Sequence, residues 1–525
     1  MKRTLRIVSA LALAASALTA PAANAAPAIT WEPCPANVDA KGAKCGRIAV
    51  PMQYDNPKAG DISLGFVKIP AQVPSAKRGV IFGNPGGPGG DAYGYFGSTE
   101  QLLWPKEIRN EFDLVAVQPR GLMGSTPMKC AEPKVSNPLD AAKLEIDANV
   151  NNGALTRELC ERGRPGYTKS ITTYTNARDW DMVRWALGEP RINIIGLSYG
   201  TYLGATYASM FPHRTDKVVL DSAMDPNEQY QKLMADQQGG YERALNEYFA
   251  WVALNNDKFH MGDTPLKAYQ YWSNVIVRQT GTNPTVAPPP ARVGDLPPAL
   301  SFTGQAGANA MSAVGPARVE GEGIVSRMLK PGALQSNAPL LGITRMFLPM
   351  PAMWGTIAGM TNGSIPIPQG GLEPSLEGRE AMQAGLATQS LQFCNENVSP
   401  PDPLLVPNAL WAHATGDIFS VGASVVGSGL ACNGAAPVIG KMPLDGTKLA
   451  TRPLQFNGTR DPQTLYAGRF GIARPMNSHL VTVHGPGHGH VGFGNPAVDR
   501  QVVNYLRSGE LGPVNQPGFF EAQPR

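Results

Sequence analysis

Ile192-Asn193-Ile194-Ile195-Gly196-Leu197-Ser198-Tyr199-Gly200-Thr201 runs from a short apolar segment, through a serine flanked by glycines, into a helical pattern that continues to Met210. Strand, sharp turn and helix around G-x-S-x-G form the context of a nucleophile elbow. The turn strains the serine backbone, so the positions two before and two after must lack a bulky Cβ substituent, and both are glycine. A glycine-rich turn carrying an inert hydroxyl is the plain alternative. Ser198 is the candidate nucleophile.

Outward from this segment, short apolar runs at 79–83, 112–117 and 217–220 read as further strands. Between the second of these and the elbow, residues 175–187 carry Trp180, Val183, Arg184 and Leu187 at helical spacing. Short apolar runs alternating with helical patterns predict a largely parallel sheet covered by helices, an α/β class. After Asp225 the pattern breaks for roughly 220 residues, with Pro288-Pro289-Pro290 and Pro400-Pro401-Asp402-Pro403 inside it. Strand patterns return at 452–456 and 479–483, and 497–506 reads as a closing amphipathic helix. The expectation is an α/β-hydrolase fold whose core, 26–225 and 446–525, is split around a large, mostly helical cap at 226–445. Such a split places the active site at the strand ends, under the insertion. Residues 339–360 are strongly apolar, but Arg345, Pro349 and Pro351 argue against a membrane helix. They read either as a buried cap core or as an apolar wall facing substrate.

An acyl-transfer nucleophile needs donors where the oxyanion develops. The Tyr199 N–H at the helix start is one. The other is expected from the loop Asn84-Pro85-Gly86-Gly87-Pro88-Gly89-Gly90 that follows the 79–83 strand, with Gly87 the choice, because glycines let backbone approach substrate closely. A plain flexible turn is the alternative; a phosphate loop would need Gly-Lys-Ser/Thr, which does not follow. The acid must come after the serine and at a strand end, and Asp461 in Asn457-Gly458-Thr459-Arg460-Asp461-Pro462 fits, unless it only caps a turn before Pro462. Four of the seven histidines fall between 479 and 490. His479 and His484 flank or lie in a strand, whereas His488 sits on the loop just past it and is the expected base, with His490 the alternative. A zinc site fits poorly, since Gly485-Pro486-Gly487 prevents a helical pair of His484 and His488 and no carboxylate neighbours them. Neither metal nor organic cofactor is required.

The first residues read as a secretory signal peptide over 1–25: basic Lys2, Arg3 and Arg6, an apolar run from Ile7 to Ala20, and Ala23-Asn24-Ala25 as the cleavage site. Of the formal charge of +4, those three cations account for three, leaving +1 on the mature chain, a balance that predicts no nucleic-acid or acidic-membrane partner. The roughly 500 residues that follow exceed one hydrophobic core. Six cysteines with no C-x-x-C pair read as disulfides of an exported protein. Sequential pairing, Cys34 with Cys45, Cys130 with Cys160 and Cys394 with Cys432, closes the shortest loops.

With these residues in place, the chain resembles the tripeptidyl aminopeptidase family of secreted actinobacterial α/β-hydrolases, relatives of proline iminopeptidases with a distinctive C-terminal region. The likeness rests on Trp31-Glu32-Pro33-Cys34, Asn84-Pro85-Gly86-Gly87-Pro88-Gly89-Gly90, Pro119-Arg120-Gly121, Gly196-Leu197-Ser198-Tyr199-Gly200-Thr201, Asp461-Pro462-Gln463-Thr464 and Gly487-His488-Gly489. It implies a Ser198, Asp461, His488 triad and release of short peptides from free N-termini. Where the family usually has Asp before Pro-Arg-Gly, this chain has Gln118, so a salt bridge beside the oxyanion loop is expected to be missing. A substrate ammonium calls for a carboxylate in the cap; Glu396 beside Cys394 and Glu228 after the 217–220 strand are the candidates. An esterase on apolar acyl chains would use the same triad, and an inactive binding protein on this fold is the more distant alternative.

Overall fold

The computed structural model describes residues 25–100, 102–228, 230–330, 332–367 and 375–523. The expected signal segment lies almost wholly outside them. Ten strands form one sheet: β1 (Thr30–Glu32), β2 (Lys44–Pro51), β3 (Asp61–Ile69), β4 (Gly79–Asn84), β5 (Phe112–Val117), β6 (Ile192–Leu197), β7 (Thr215–Asp221), β8 (Leu454–Arg460), β9 (His479–Pro486) and β10 (Asn515–Pro517). Their order is β1-β2-β3-β5-β4-β6-β7-β8-β9-β10. The pairs from β1 to β5 through β3 are antiparallel, and every pair from β5 onward is parallel. The strand leading to Ser198 is therefore flanked on both sides.

Strands buried on two faces need apolar residues at successive positions, which is why β5 and β6 read as continuous apolar runs rather than alternating ones. Ile194, Phe82, Val115 and Val218 point to one face, where Trp180, Val183, Leu203 and Tyr207 of helices Thr173–Ala186 and Tyr199–Met210 cover them. Ile195, Ile81, Leu114, Val219 and Val481 point to the other, under Val498, Val502 and Tyr505 of helix Pro496–Ser508. This alternation is the period of two of the pleat.

Between β7 and β8 the described residues form helices and no strand. The longest are Gln231–Leu254, Pro265–Thr280, Gly304–Leu329 and Leu376–Glu396. Tyr241, Tyr248, Phe249, Trp272, Leu340, Leu341, Trp354 and Ile357 make a separate buried cluster, so the apolar run at 339–360 is largely core. Prolines break it into helices Pro339–Phe347 and Trp354–Asn362. Among the described residues no helix is long and apolar enough to cross a membrane. The helical segment is not one unit in packing: Tyr230, Leu233, Leu391, Phe393, Cys394 and Cys432 belong to the cluster on the sheet's own face. Cys34–Cys45, Cys130–Cys160 and Cys394–Cys432 are bonded, in the sequential order, and no cysteine is free.

Candidate active site

Ser198 lies at the end of β6 with φ 58° and ψ −124°, a conformation that costs a non-glycine residue free energy. The flanking glycines are required by contact. A Cβ on Gly196 would land on the Gly200 carbonyl, and one on Gly200 would land on the Asn84 carbonyl. The glycine loop after β4 is seated directly against the elbow: a Cβ on Gly86 would come within 2.8 Å of both Ser198 Cβ and Tyr199 N. Gly86 N is occupied by Asn84 Oδ1 at 2.9 Å. Among the described residues the Gly87 and Tyr199 N–H groups donate to no protein acceptor, which leaves both free for an oxyanion.

Asp461 and His488 are brought together as the sequence predicts. His488 Nδ1 is 2.9 Å from Asp461 Oδ2 and 3.1 Å from Oδ1, and both residues are buried. The carboxylate also accepts from Gln463 N at 2.7 Å, Thr464 N at 3.0 Å and Thr464 Oγ1 at 2.8 Å. Burial alone would raise the Asp461 carboxyl, but the His488 charge and these donors together hold it below the usual carboxylate range. Among the described residues no hydrogen bond joins Ser198 Oγ to His488, a contact that commonly tightens only when substrate seats. His490, the alternative base, is turned elsewhere: its ring packs on Gly458, and among the described residues its Nε2 has no partner. Burial pushes its pKa down.

Gln118 does not leave a gap. Its Oε1 accepts from Ala92 N at 2.8 Å, and its Nε2 donates to Asp91 Oδ1 at 2.9 Å and to Met123 O at 2.6 Å. An aspartate could donate nothing here and would face Asp91; the carboxamide instead clamps the segment that ends the glycine loop. The neighbouring Arg120 pairs instead with Asp179, with both side chains almost fully buried.

The two candidate amine-binding acids part ways. Glu228 pairs with Lys232 at 3.3 Å, and nothing joins it to the other site residues. Glu396 is 6% exposed. Its carboxylate accepts from the Thr173 backbone N–H, from Gln392 Nε2 and, at 3.0 Å, from Thr173 Oγ1. Thr173 Oγ1 in turn lies 2.9 Å from the Tyr199 hydroxyl, so Glu396 connects to the residue that follows Ser198. Among the described residues no cation neutralises it, and burial pushes its pKa up to about 7 despite the hydrogen bonds from Thr173 and Gln392. It ends a helix, where the macrodipole also disfavours negative charge. The same helix crosses the glycine loop: Gln389 Nε2 donates to Gly87 O, Gly385 O lies over Gly89, and Thr388 lies over Gly121. Sequence reasoning missed Thr173, Gln389 and Gln392; no motif marks them, and only the packing of that helix on the loop brings them in.

Residues 81–310 match the family described as alpha/beta hydrolase fold, and residues 418–516 match the TAP-like protein family. A tripeptidyl aminopeptidase of Streptomyces coelicolor is 32% identical over 264 residues, 48% of this chain and 49% of that protein. Serine protease Hip1 of Mycobacterium tuberculosis is 32% identical over 288 residues, 52% of this chain and 54% of that protein. The chain thus spans about half the length of these relatives. Carboxylesterase B of Mycobacterium tuberculosis is 27% identical over 520 residues, 93% of this chain and 90% of that protein. Among solved structures, a proline iminopeptidase of Mycobacterium smegmatis aligns with a TM-score of 0.36 and 12% identity over 88% of this chain and 98% of that one. The elbow and glycine loop fall within the segment that matches the alpha/beta hydrolase fold family, and Asp461 and His488 within the segment that matches the TAP-like protein family, so the chain has an α/β-hydrolase fold with a TAP-like C-terminal region.

Proposed function

We propose that the protein is a secreted serine exopeptidase that releases short peptides, tripeptides first among them, from free N-termini. In this reading His488 takes the Ser198 proton as Ser198 Oγ attacks the substrate carbonyl, and the Gly87 and Tyr199 N–H groups hold the oxyanion. Asp461 keeps the His488 proton on Nδ1, and the imidazolium then protonates the leaving amine. Water, deprotonated by the same imidazole, hydrolyses the acyl-enzyme. Neither metal nor organic cofactor enters the reaction. Three disulfides and the N-terminal sequence pattern support export.

The observation that carries the exopeptidase reading is the unneutralised buried carboxylate of Glu396, joined through Thr173 to the Tyr199 hydroxyl. Keeping such a group in a protein interior is costly unless a cation arrives, and a substrate α-ammonium is one. Length supports the same reading. The helix rises roughly 10 Å from Gln389, which touches the Gly87 carbonyl, to Glu396, and three extended residues span about that distance.

The esterase reading has one observation in its favour: a relative that matches over 90% of its own length is named carboxylesterase B. A panel of aminoacyl, dipeptidyl, tripeptidyl and acyl-ester chromogenic substrates separates the two. The exopeptidase reading expects the highest kcat/KM on a tripeptidyl anilide. A higher value on a medium-chain acyl ester overturns it.

A further inference from the structure

The loop that carries His488 belongs to no helix or strand, yet five consecutive backbone N–H groups in it are captured. His488 N donates to Pro349 O at 2.8 Å. Gly489 N donates to Ser222 Oγ at 2.8 Å. His490 N and Val491 N both donate to Asp221 Oδ2, at 2.7 and 2.8 Å, and Gly492 N donates to Asp499 Oδ1 at 2.9 Å. Successive N–H groups converging in this way form a nest for a carboxylate. Here the carboxylate is the protein's own.

Asp221 and Ser222 are 1% and 0% exposed and also reach the nucleophile directly and the acid through Thr464. Ser198 N donates to Asp221 O at 3.0 Å. The Thr464 hydroxyl lies 3.0 Å from Ser222 O and 2.8 Å from Asp461 Oδ2. One dipeptide at the end of β7 therefore contacts the nucleophile's backbone, the acid's neighbour and the base's loop. Ser222 holds φ at 51°, where glycine would be relaxed and serine is strained. A serine kept there in spite of the strain is accounted for by its hydroxyl, the acceptor for Gly489 N.

We infer that Asp221 and Ser222 are positioning residues, which lock the His488 loop in register with Ser198 and Asp461. The inference rests on the triad proposed above and is independent of whether the substrate is a peptide or an ester. A merely structural role would lower stability and the active fraction while leaving turnover per active site unchanged. A positioning role moves turnover itself, since displacing a reacting group by about 1 Å costs as much as 10²-fold.

Ser222→Gly separates the two roles, because it relieves the backbone and deletes only the hydroxyl that accepts from Gly489 N and donates weakly to Asp221 Oδ1 at 3.4 Å. Its thermal midpoint should stay close to that of the wild type, the relieved backbone offsetting the unpaired Gly489 N–H, while kcat per fluorophosphonate-titrated site and the labelling rate of Ser198 each fall about tenfold and KM stays within twofold. Asp221→Ala should lose about 10²-fold in kcat, and Asp221→Asn, which keeps an acceptor oxygen, should recover most of it. Should Asp221→Ala fail to fold, Ser222→Gly decides alone. Turnover per titrated site within threefold of wild type in Ser222→Gly overturns the inference. A wild-type enzyme whose Ser198 is not labelled at all overturns the triad instead.

Discussion

Replacing Glu396 by Gln should make the protein more stable at pH 8 and less selective for free amines. The carboxylate accepts from the Thr173 N–H and Gln392 Nε2 on one oxygen and from Thr173 Oγ1 on the other. A glutamine oxygen can keep the first two. Its Nε2 can donate to Thr173 Oγ1, which is free to turn its proton toward the Tyr199 hydroxyl, 2.9 Å away. The variant therefore removes the charge and keeps the acceptor for both N–H donors, while one of its own two N–H groups gains no acceptor from these partners. With the folded pKa pushed from 4.5 up to about 7, the folded state binds the proton more tightly than the unfolded chain. Stability is then greatest below about pH 4.5 and falls as pH rises toward 7. At about 1.4 kcal/mol per unit, the penalty above pH 7 is on the order of 3 kcal/mol. A chain of about 500 residues has an unfolding entropy near 1 kcal/mol/K, so the thermal midpoint of Glu396→Gln relative to wild type should be roughly 3 °C higher at pH 8 than near pH 4.5. Differential scanning fluorimetry at the two pH values reads this directly. Taking the difference between variant and wild type cancels the like-signed contribution of Asp499, whose pKa burial also pushes up to about 7. An equal change in stability at both pH values would mean instead that the carboxylate is paired and structural.

Ser198→Ala, Asp461→Asn and His488→Ala should each lower kcat by about 10⁴ or more with the fold intact, whereas His490→Ala keeps near-normal turnover; the reverse pattern for the two histidines would move the base to His490. Gln118→Asp should destabilise the protein by about 1–3 kcal/mol in denaturant titration, because it deletes the donors to Asp91 and Met123 and sets two carboxylates face to face; a neutral effect would mean that the clamp is unimportant. Mass spectrometry of the alkylated, non-reduced protein should find no modified cysteine, and labelling of any one would contradict the three bridges.

The elbow was legible because its chemistry is local. A serine at positive φ between two glycines that cannot carry a Cβ leaves a short signature, and β6 ends where the apolar run does. Asp461 and His488 were legible for a related reason, since each follows an apolar strand by a few residues. The sequence reading ended β7 at Leu220, one residue before Asp221, because an aspartate reads as the start of a loop. Only the structure shows its carboxylate turned inward to the His488 loop. Glu396 could be named but not placed, as its significance depends on helix Leu376–Glu396 crossing the glycine loop, a contact between segments 302 residues apart (Gln389 to Gly87). Gln118 was read as a lost charge, although what matters is that Asp91 already supplies one and the site needs a donor.

Recognition of a free α-amine, as proposed, is read from kcat/KM on one tripeptidyl anilide with its N-terminus free and N-acetylated. A charge-assisted contact to Glu396 is worth roughly 1.5–3 kcal/mol, so the free peptide should be cleaved at least about tenfold faster, and in Glu396→Gln the ratio should fall toward one. Equal rates on the free and blocked peptides in the wild-type enzyme would contradict the account.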